Sequence, residues 1–181
     1  MLAPRTRWHV SGADEELAAH ISKACSLHPL VARLLVIRGV STPQAVERFL
    51  ACDVQHLHDP YLLDGMQQAV DRIRQALAAG EKIRIYGDYD ADGVTSTALI
   101  ARLLRKLNAD VDVYVPHRIQ EGYGLNRAAL EQAQRGEVSL IITVDNGISA
   151  KEEIRYAREL GLDGIVTDHH EPPADLPTEA C

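Results

Sequence analysis

From residue 82 onward, short apolar runs alternate with amphipathic stretches. Strand-like runs at 82–86 (Lys-Ile-Arg-Ile-Tyr), 111–115, 138–144 and 164–167 are separated by helical patterns at roughly 93–107, 127–135 and 150–160. Such alternation predicts an α/β fold, a parallel sheet with flanking helices. The run Val-Ser-Leu-Ile-Ile-Thr-Val at 138–144 is the most apolar, as expected of a central strand covered on both faces. Residues 1–80 read as a helical N-terminal segment. Leu30, Leu34, Leu35 and Ile37 lie on one helical stretch, Ser41 or Thr42 caps a second with Pro43 in its first turn, and Ala45, Val46, Phe49 and Leu50 continue it. A loop at 53–64 follows, then Met66, Ala69, Val70, Ile73, Ala76 and Leu77 mark a helical face that ends at Gly80. The expected division is therefore 1–80 and 81–181, the first part supporting the sheet of the second.

Composition narrows the class. With 46% apolar and 25% charged residues in 181, the chain fits the soluble globular range, and no apolar run approaches the ~18 residues of a membrane span. The opening residues lead into no apolar segment of the kind a signal peptide needs. Cys25, Cys52 and Cys181 are odd in number and form no C-x-x-C pair, which argues against a disulfide framework or zinc ribbon and for a reducing, cytoplasmic location. A net charge of −7 argues against a generic nucleic-acid coat, though not against a nuclease whose acids surround cations.

The chemistry concentrates at the ends of the strand-like runs. Asp88, Asp90 and Asp92 fall within Gly-Asp-Tyr-Asp-Ala-Asp-Gly at 87–93. On extended backbone, side chains two apart point the same way, so the three acids are expected to converge where only a cation relieves their repulsion. A calcium loop is the rival reading, but its twelfth position holds Leu99 in place of a bidentate Glu and a strand-like run precedes it. Asp145 in Thr-Val-Asp-Asn-Gly and the triplet Asp168-His169-His170 end two further runs. Thr95, Ser96 and Thr97 follow Gly93, where their hydroxyls and amides cap the helix or receive a phosphate. Arg118 and the Gly122-Tyr123-Gly124 turn follow the second strand, where Arg118 would clamp a phosphate and Tyr123 would stack on a base, unless the loop is merely solvated. Asn146 serves the turn that presents Asp145. His56 and His58 lack a further ligand, Trp8 and His9 suggest no role, and no P-loop or complete dinucleotide fingerprint is present.

Taken together, Tyr-Gly-Asp-Tyr-Asp-Ala-Asp-Gly-Val-Thr-Ser-Thr-Ala (86–98), Pro-His-Arg-Ile-Gln-Glu-Gly-Tyr-Gly-Leu (116–125), Val-Asp-Asn-Gly-Ile-Ser (144–149) and Thr-Asp-His-His (167–170) resemble the DHH phosphoesterase family. Within it they are most similar to the single-strand-specific 5′-to-3′ DNA exonucleases, whose short helical lead-in residues 33–50 also resemble.

The resemblance implies Mn²⁺- or Mg²⁺-dependent hydrolysis at a two-metal site, acting in DNA recombination and repair. Asp90, Asp92, Asp145 and His169 would be ligands, with Asp145 bridging two ions. Asp88 is a third ligand of its cluster or a partner of the ligands. Asp168 would orient a ring nitrogen or stabilise the turn, and His170 would touch substrate phosphate. Oxygen ligands with one imidazole favour Mn²⁺ over Mg²⁺; ligand identity alone leaves zinc open. Single-stranded DNA is the implied substrate, with single-strand-binding protein and a RecQ-type helicase as implied partners and no membrane association. The family also carries a further ligand Asp beyond the triplet and a second domain, so this chain is expected to be C-terminally incomplete and nearly inactive alone. Two rivals remain: a hydrolase of short oligonucleotides, cyclic dinucleotides or pyrophosphate, and a non-catalytic scaffold. The helical lead-in and Gly-Tyr-Gly turn favour the exonuclease over the first, and the retained acids count against the second.

Overall fold

The computed structural model describes His9, residues 11–51 and residues 53–180. Trp8, Cys52 and Cys181, weighed above, lie outside the described residues. The chain forms two compact units that divide between Asp59 and Pro60.

The first unit holds three helices: α1 (Glu15–Ala24), α2 (Pro29–Ile37) and α3 (Pro43–Leu50). Each start is capped by a side chain. Asp14 accepts from the Leu17 amide, His28 from Leu30 and Thr42 from Ala45, with Pro29 and Pro43 where a missing N–H costs least. Thr42 is thus the cap, rather than Ser41. Ile21, Ala32, Leu35 and Val46 form a small core. The stretch 53–64, expected as a loop, contains two short 3-10 turns at Val54–His56 and Pro60–Leu62.

The second unit runs α4 (Met66–Ala79), β1 (Lys82–Tyr86), α5 (Ala91–Lys106), β2 (Asp110–Tyr114), α6 (Arg127–Arg135), β3 (Val138–Val144), α7 (Lys151–Glu159), β4 (Asp163–Thr167). The four strands are parallel in the order β2-β1-β3-β4. The boundary expected at 80/81 therefore falls inside this unit. The reason is that Ala69, Ile73 and Ala76 of α4 pack with Ile83 and Ile85 of β1 and Ala101 and Leu104 of α5 on one sheet face. Tyr86, Ile141, Ala129, Leu130, Ile154 and Ala157 fill the opposite face, under α6 and α7. Period-2 alternation assigns Ile83 and Ile85 to one side and Arg84 and Tyr86 to the other. A register shift between Lys82 and Ile83 against β3 lets Val138 and Ile141, three apart, share a face.

Arg84 is a buried charge on the apolar sheet. It makes a two-pronged pair with Asp112, its neighbour in register on β2, at 2.8 and 2.9 Å, and its guanidinium lies 5.5 Å from the Tyr114 ring centre. At the other edge Arg72 of α4 binds Glu81 and Asp163 at 2.6 and 2.7 Å, tying helix to strands. Among the described residues, no helix is long and apolar enough to cross a membrane.

Candidate metal centre

Chain direction builds the site. From β1 the chain crosses to β2 on one side, and β3 then takes the other side of β1. The carboxyl ends of β1 and β3 thus flank the switch point where open α/β sheets bind ligands. Asp88 and Asp90 follow β1, Asp145 follows β3, and the Asp168-His169-His170 triplet follows β4.

The first cluster is bent rather than extended. Asp88 is buried and its Oδ1 accepts from the Tyr89 amide at 2.7 Å. Asp90 is the N-cap of α5, accepting from Gly93 N–H at 3.1 Å, and that amide holds its carboxyl below the usual range. Asp92 lies in the first helical turn. The three acids therefore do not project from one strand, because capping by Asp90 starts the helix at Ala91 and turns Asp92 aside. Asp88, Asp90 and Asp145 can each bring an oxygen within 4.8 Å of the others; Asp92 reaches the site through His169 Nε2, 3.6 Å from its Oδ2. Gly93 is required here, since a Cβ would stand 2.6 Å from Asp88 Cβ and 2.8 Å from its backbone. The expected capping by Thr95–Thr97 is also corrected. Thr95 Oγ1 donates to Ala91 O and Thr97 Oγ1 to Gly93 O, within their own helix, and no hydrogen bond ties Ser96 to the acids.

Asp145 is the centre of the site. Its backbone is left-handed, φ 64°, a conformation Asp tolerates better than most residues. Both carboxylate oxygens are buried without a directed hydrogen bond, although His169 Nε2 lies 2.8 Å from Oδ1. Burial, then the charges of Asp92 and Asp90, push its pKa up, opposed by His169. Buried carboxylate oxygens seldom lack partners, and a cation satisfies such a group without the cost of protonation. Asn146, fully buried, donates to Val144 O and Tyr86 O, pinning the ends of β1 and β3 together beside it.

Asp168 is held at both carboxylate oxygens. One oxygen accepts from the His169 and His170 amides at 2.8 and 3.1 Å and lies 2.7 Å from His170 Nδ1; the other accepts from the Ile148 amide at 3.0 Å. The ring it orients is His170. Burial acts to raise the Asp168 carboxyl, but these donors together hold it below its usual range. Its ionised state fixes a proton on His170 Nδ1, leaving Nε2 as the free nitrogen of the neutral ring, and raises the His170 pKa. Asp145, His169 and His170 also form a triad able to share a cation, so His170 stands within reach of metal as well as phosphate. Tyr123, expected against a base, has its hydroxyl 3.3 Å from both Asp145 O and His170 Nδ1, its ring edge-on to His170. Arg118 stacks over Tyr89 at 5.1 Å, the residue between Asp88 and Asp90. The structure thus gathers Asp88, Asp90, Asp145, His169 and His170, with Asp92 at the margin. No metal group among the described residues includes His56 or His58.

A parallel sheet whose switch point carries these acids and a strand-end Asp-His-His matches the DHH family, N-terminal domain, over residues 82–181, and the chain belongs to the DHH family. Its relatives there are exonucleases. It is 48% identical over 177 residues to the single-stranded-DNA-specific exonuclease RecJ of Bacillus subtilis, covering 98% of this chain and 22% of that protein. RecJ of Escherichia coli is 42% identical over 152 residues, 83% of this chain and 26% of that one. A crystal structure of RecJ bound to manganese superposes with a TM-score of 0.60 at 43% identity, over 64% of this chain and 30% of that one. RecJ of Thermus thermophilus with Mn²⁺ gives 0.67 at 31%, over 94% and 24%, and with Mg²⁺ 0.55 at 28%, over 91% and 20%. The chain spans about a quarter of the length of the curated relatives it matches.

Proposed function

We propose that this chain supplies the metal-binding, phosphodiester-cleaving part of a 5′-to-3′ exonuclease specific for single-stranded DNA. The observation that carries the reading is the buried carboxylate of Asp145, met by His169 Nε2 at Oδ1 and set beside Asp88 and Asp90 at the sheet's switch point. This donor set, oxygen-rich with imidazole, fits Mn²⁺ or Mg²⁺, the ions in the RecJ structures. Bound there, such cations activate water and neutralise charge on the phosphate oxygens. Asp88, Asp90, Asp145 and His169 would hold them, with Asp92 completing the acidic rim. His170, with Nδ1–H fixed on Asp168, keeps Nε2 free to meet a substrate phosphate. Arg118, preoriented on Tyr89, presents its guanidinium to a phosphate. The residues 1–80 and 81–181 are read as lead-in and catalytic domain on the same resemblance. A cytoplasmic role in recombination and repair, with single-strand-binding protein and a RecQ-type helicase as partners, rests on it too, supported by the cysteine pattern.

The test is a chimera in which this chain replaces the matching segment of the Bacillus subtilis exonuclease. Release of 5′ nucleotides from labelled single strands, abolished by Asp90→Ala, is the expected result. Equal degradation of blunt duplex and single strands, or a strong preference for cyclic dinucleotides, would replace the exonuclease with a small-phosphate hydrolase.

A further inference from the structure

A buried phenol that the reading above leaves without a role lies under the loop that carries Tyr123. Tyr86, the last residue of β1, is fully buried. Its hydroxyl donates to Gly124 O at 3.0 Å and accepts from Asn126 Nδ2 at 3.1 Å. Burial foremost, then Tyr114 and Glu121, push its pKa up, so it stays a donor at any working pH. Around it Glu121 accepts from the His117 amide and from the Tyr114 hydroxyl, and Asn126 Nδ2 reaches Glu121 at 3.4 Å. The two glycines flanking Tyr123 have φ of 82° and 83°, a backbone with little intrinsic stiffness. Between 117 and 124 the only backbone hydrogen bonds among the described residues run from the Gln120 and Glu121 amides to His117 O. The position of Tyr123 therefore depends on side-chain ties to Gly124 and Glu121.

Tyr123 in turn bounds His170. Since His170 Nδ1–H donates to Asp168, the Tyr123 hydroxyl directs its own proton to Asp145 O and its lone pair toward that N–H. We propose that Tyr86 is a positioning residue: by holding the Gly124 carbonyl it sets Tyr123 against Asp145 and His170, and so fixes the His170 ring at the metal centre. The part His170 plays in hydrolysis rests on the exonuclease reading; the latch itself does not. A displacement of even ~1 Å at such a ring is enough to lower a rate about 10²-fold.

The test is made on the 181-residue chain by NMR, with no catalysis required. The Tyr123 ring, 5.9 Å from the His170 ring and nearly perpendicular to it, shifts the His170 carbon-bound protons, and Tyr123→Leu sets the value without it. Tyr86→Phe keeps the buried ring and removes only the hydroxyl. It should move the His170 resonances most of the way to the Tyr123→Leu position. Tyr156→Phe, a phenol bound to Glu131, should leave them in place. Unmoved His170 resonances in a folded Tyr86→Phe chain would overturn the latch, as would an equal shift in Tyr156→Phe. Moved resonances together with an inactive chimera would sink the exonuclease reading and leave the latch standing. In an active chimera, Tyr86→Phe and Tyr123→Phe should each lower kcat about tenfold or more with KM little changed, and the double variant should lose no more than the worse single one.

Discussion

At the residue scale, Asp168 shows how one buried carboxylate can organise a site it does not face. It satisfies three amides and one imidazole nitrogen. Asp168→Asn should therefore drop the His170 midpoint, followed by NMR titration, toward the ordinary value near 6.5; an unchanged midpoint would contradict the pairing. The sign for stability follows from both partners. Asp168's contribution, from a pKa lowered on folding, is present above its unfolded pKa and fades as pH falls through the folded one. His170's, from a raised pKa, is complete below its unfolded pKa and fades as pH rises through the folded one. The pair thus stabilises most in the window between the two, and thermal unfolding against pH should lose that feature in Asp168→Asn. Arg84 gives a second expectation. Asp112→Ala leaves a guanidinium that is only 8% exposed without its pair, and urea unfolding should show a loss of roughly 2–4 kcal/mol, tempered because Asp112 is partly exposed. The Arg84–Asp112 pairing shows in no sequence pattern, since only strand register brings the two residues together.

At the element scale, hydrophobic periodicity was informative. The runs expected at 82–86 and 138–144 and the helix at 127–135 match β1, β3 and α6 residue for residue, because each is an unbroken apolar or amphipathic pattern with clear ends. The strands near 111 and 164 begin one residue earlier, at Asp110 and Asp163, where polar residues hide the start. Reading 88–92 as extended failed for a local reason: the Asp90 cap and Gly93 at the third helical position begin α5 inside the acidic cluster. Gly93→Ala tests that geometry. Helix propensity alone favours Ala by about 1 kcal/mol, yet the added Cβ meets Asp88 at 2.6 Å, and overpacking of this kind costs ~1–3 kcal/mol. The melting temperature and Mn²⁺ affinity should both fall; a rise in melting temperature would mean that the loop accommodates the methyl.

At the scale of the whole molecule, four motifs scattered over some eighty residues become one site because a parallel sheet delivers every strand's carboxyl end to the same rim. That convergence was legible from the order of strands and acids. The left-handed turn that buries Asp145 and the latch beneath Tyr123 were not, since the first depends on a contact between the ends of β3 and β4 and the second on one between the end of β1 and the loop before α6. Crowding acids against one buried carboxylate is unfavourable in the bare protein, so cations that bind only the folded form should raise its stability, by about 2.7 kcal/mol at a hundredfold excess over Kd. The most direct measurement is calorimetric titration of the chain with Mn²⁺, side by side with a folded Asp145→Ala variant. The account predicts binding that weakens at least about tenfold in the variant; the same affinity and stoichiometry in both would contradict it.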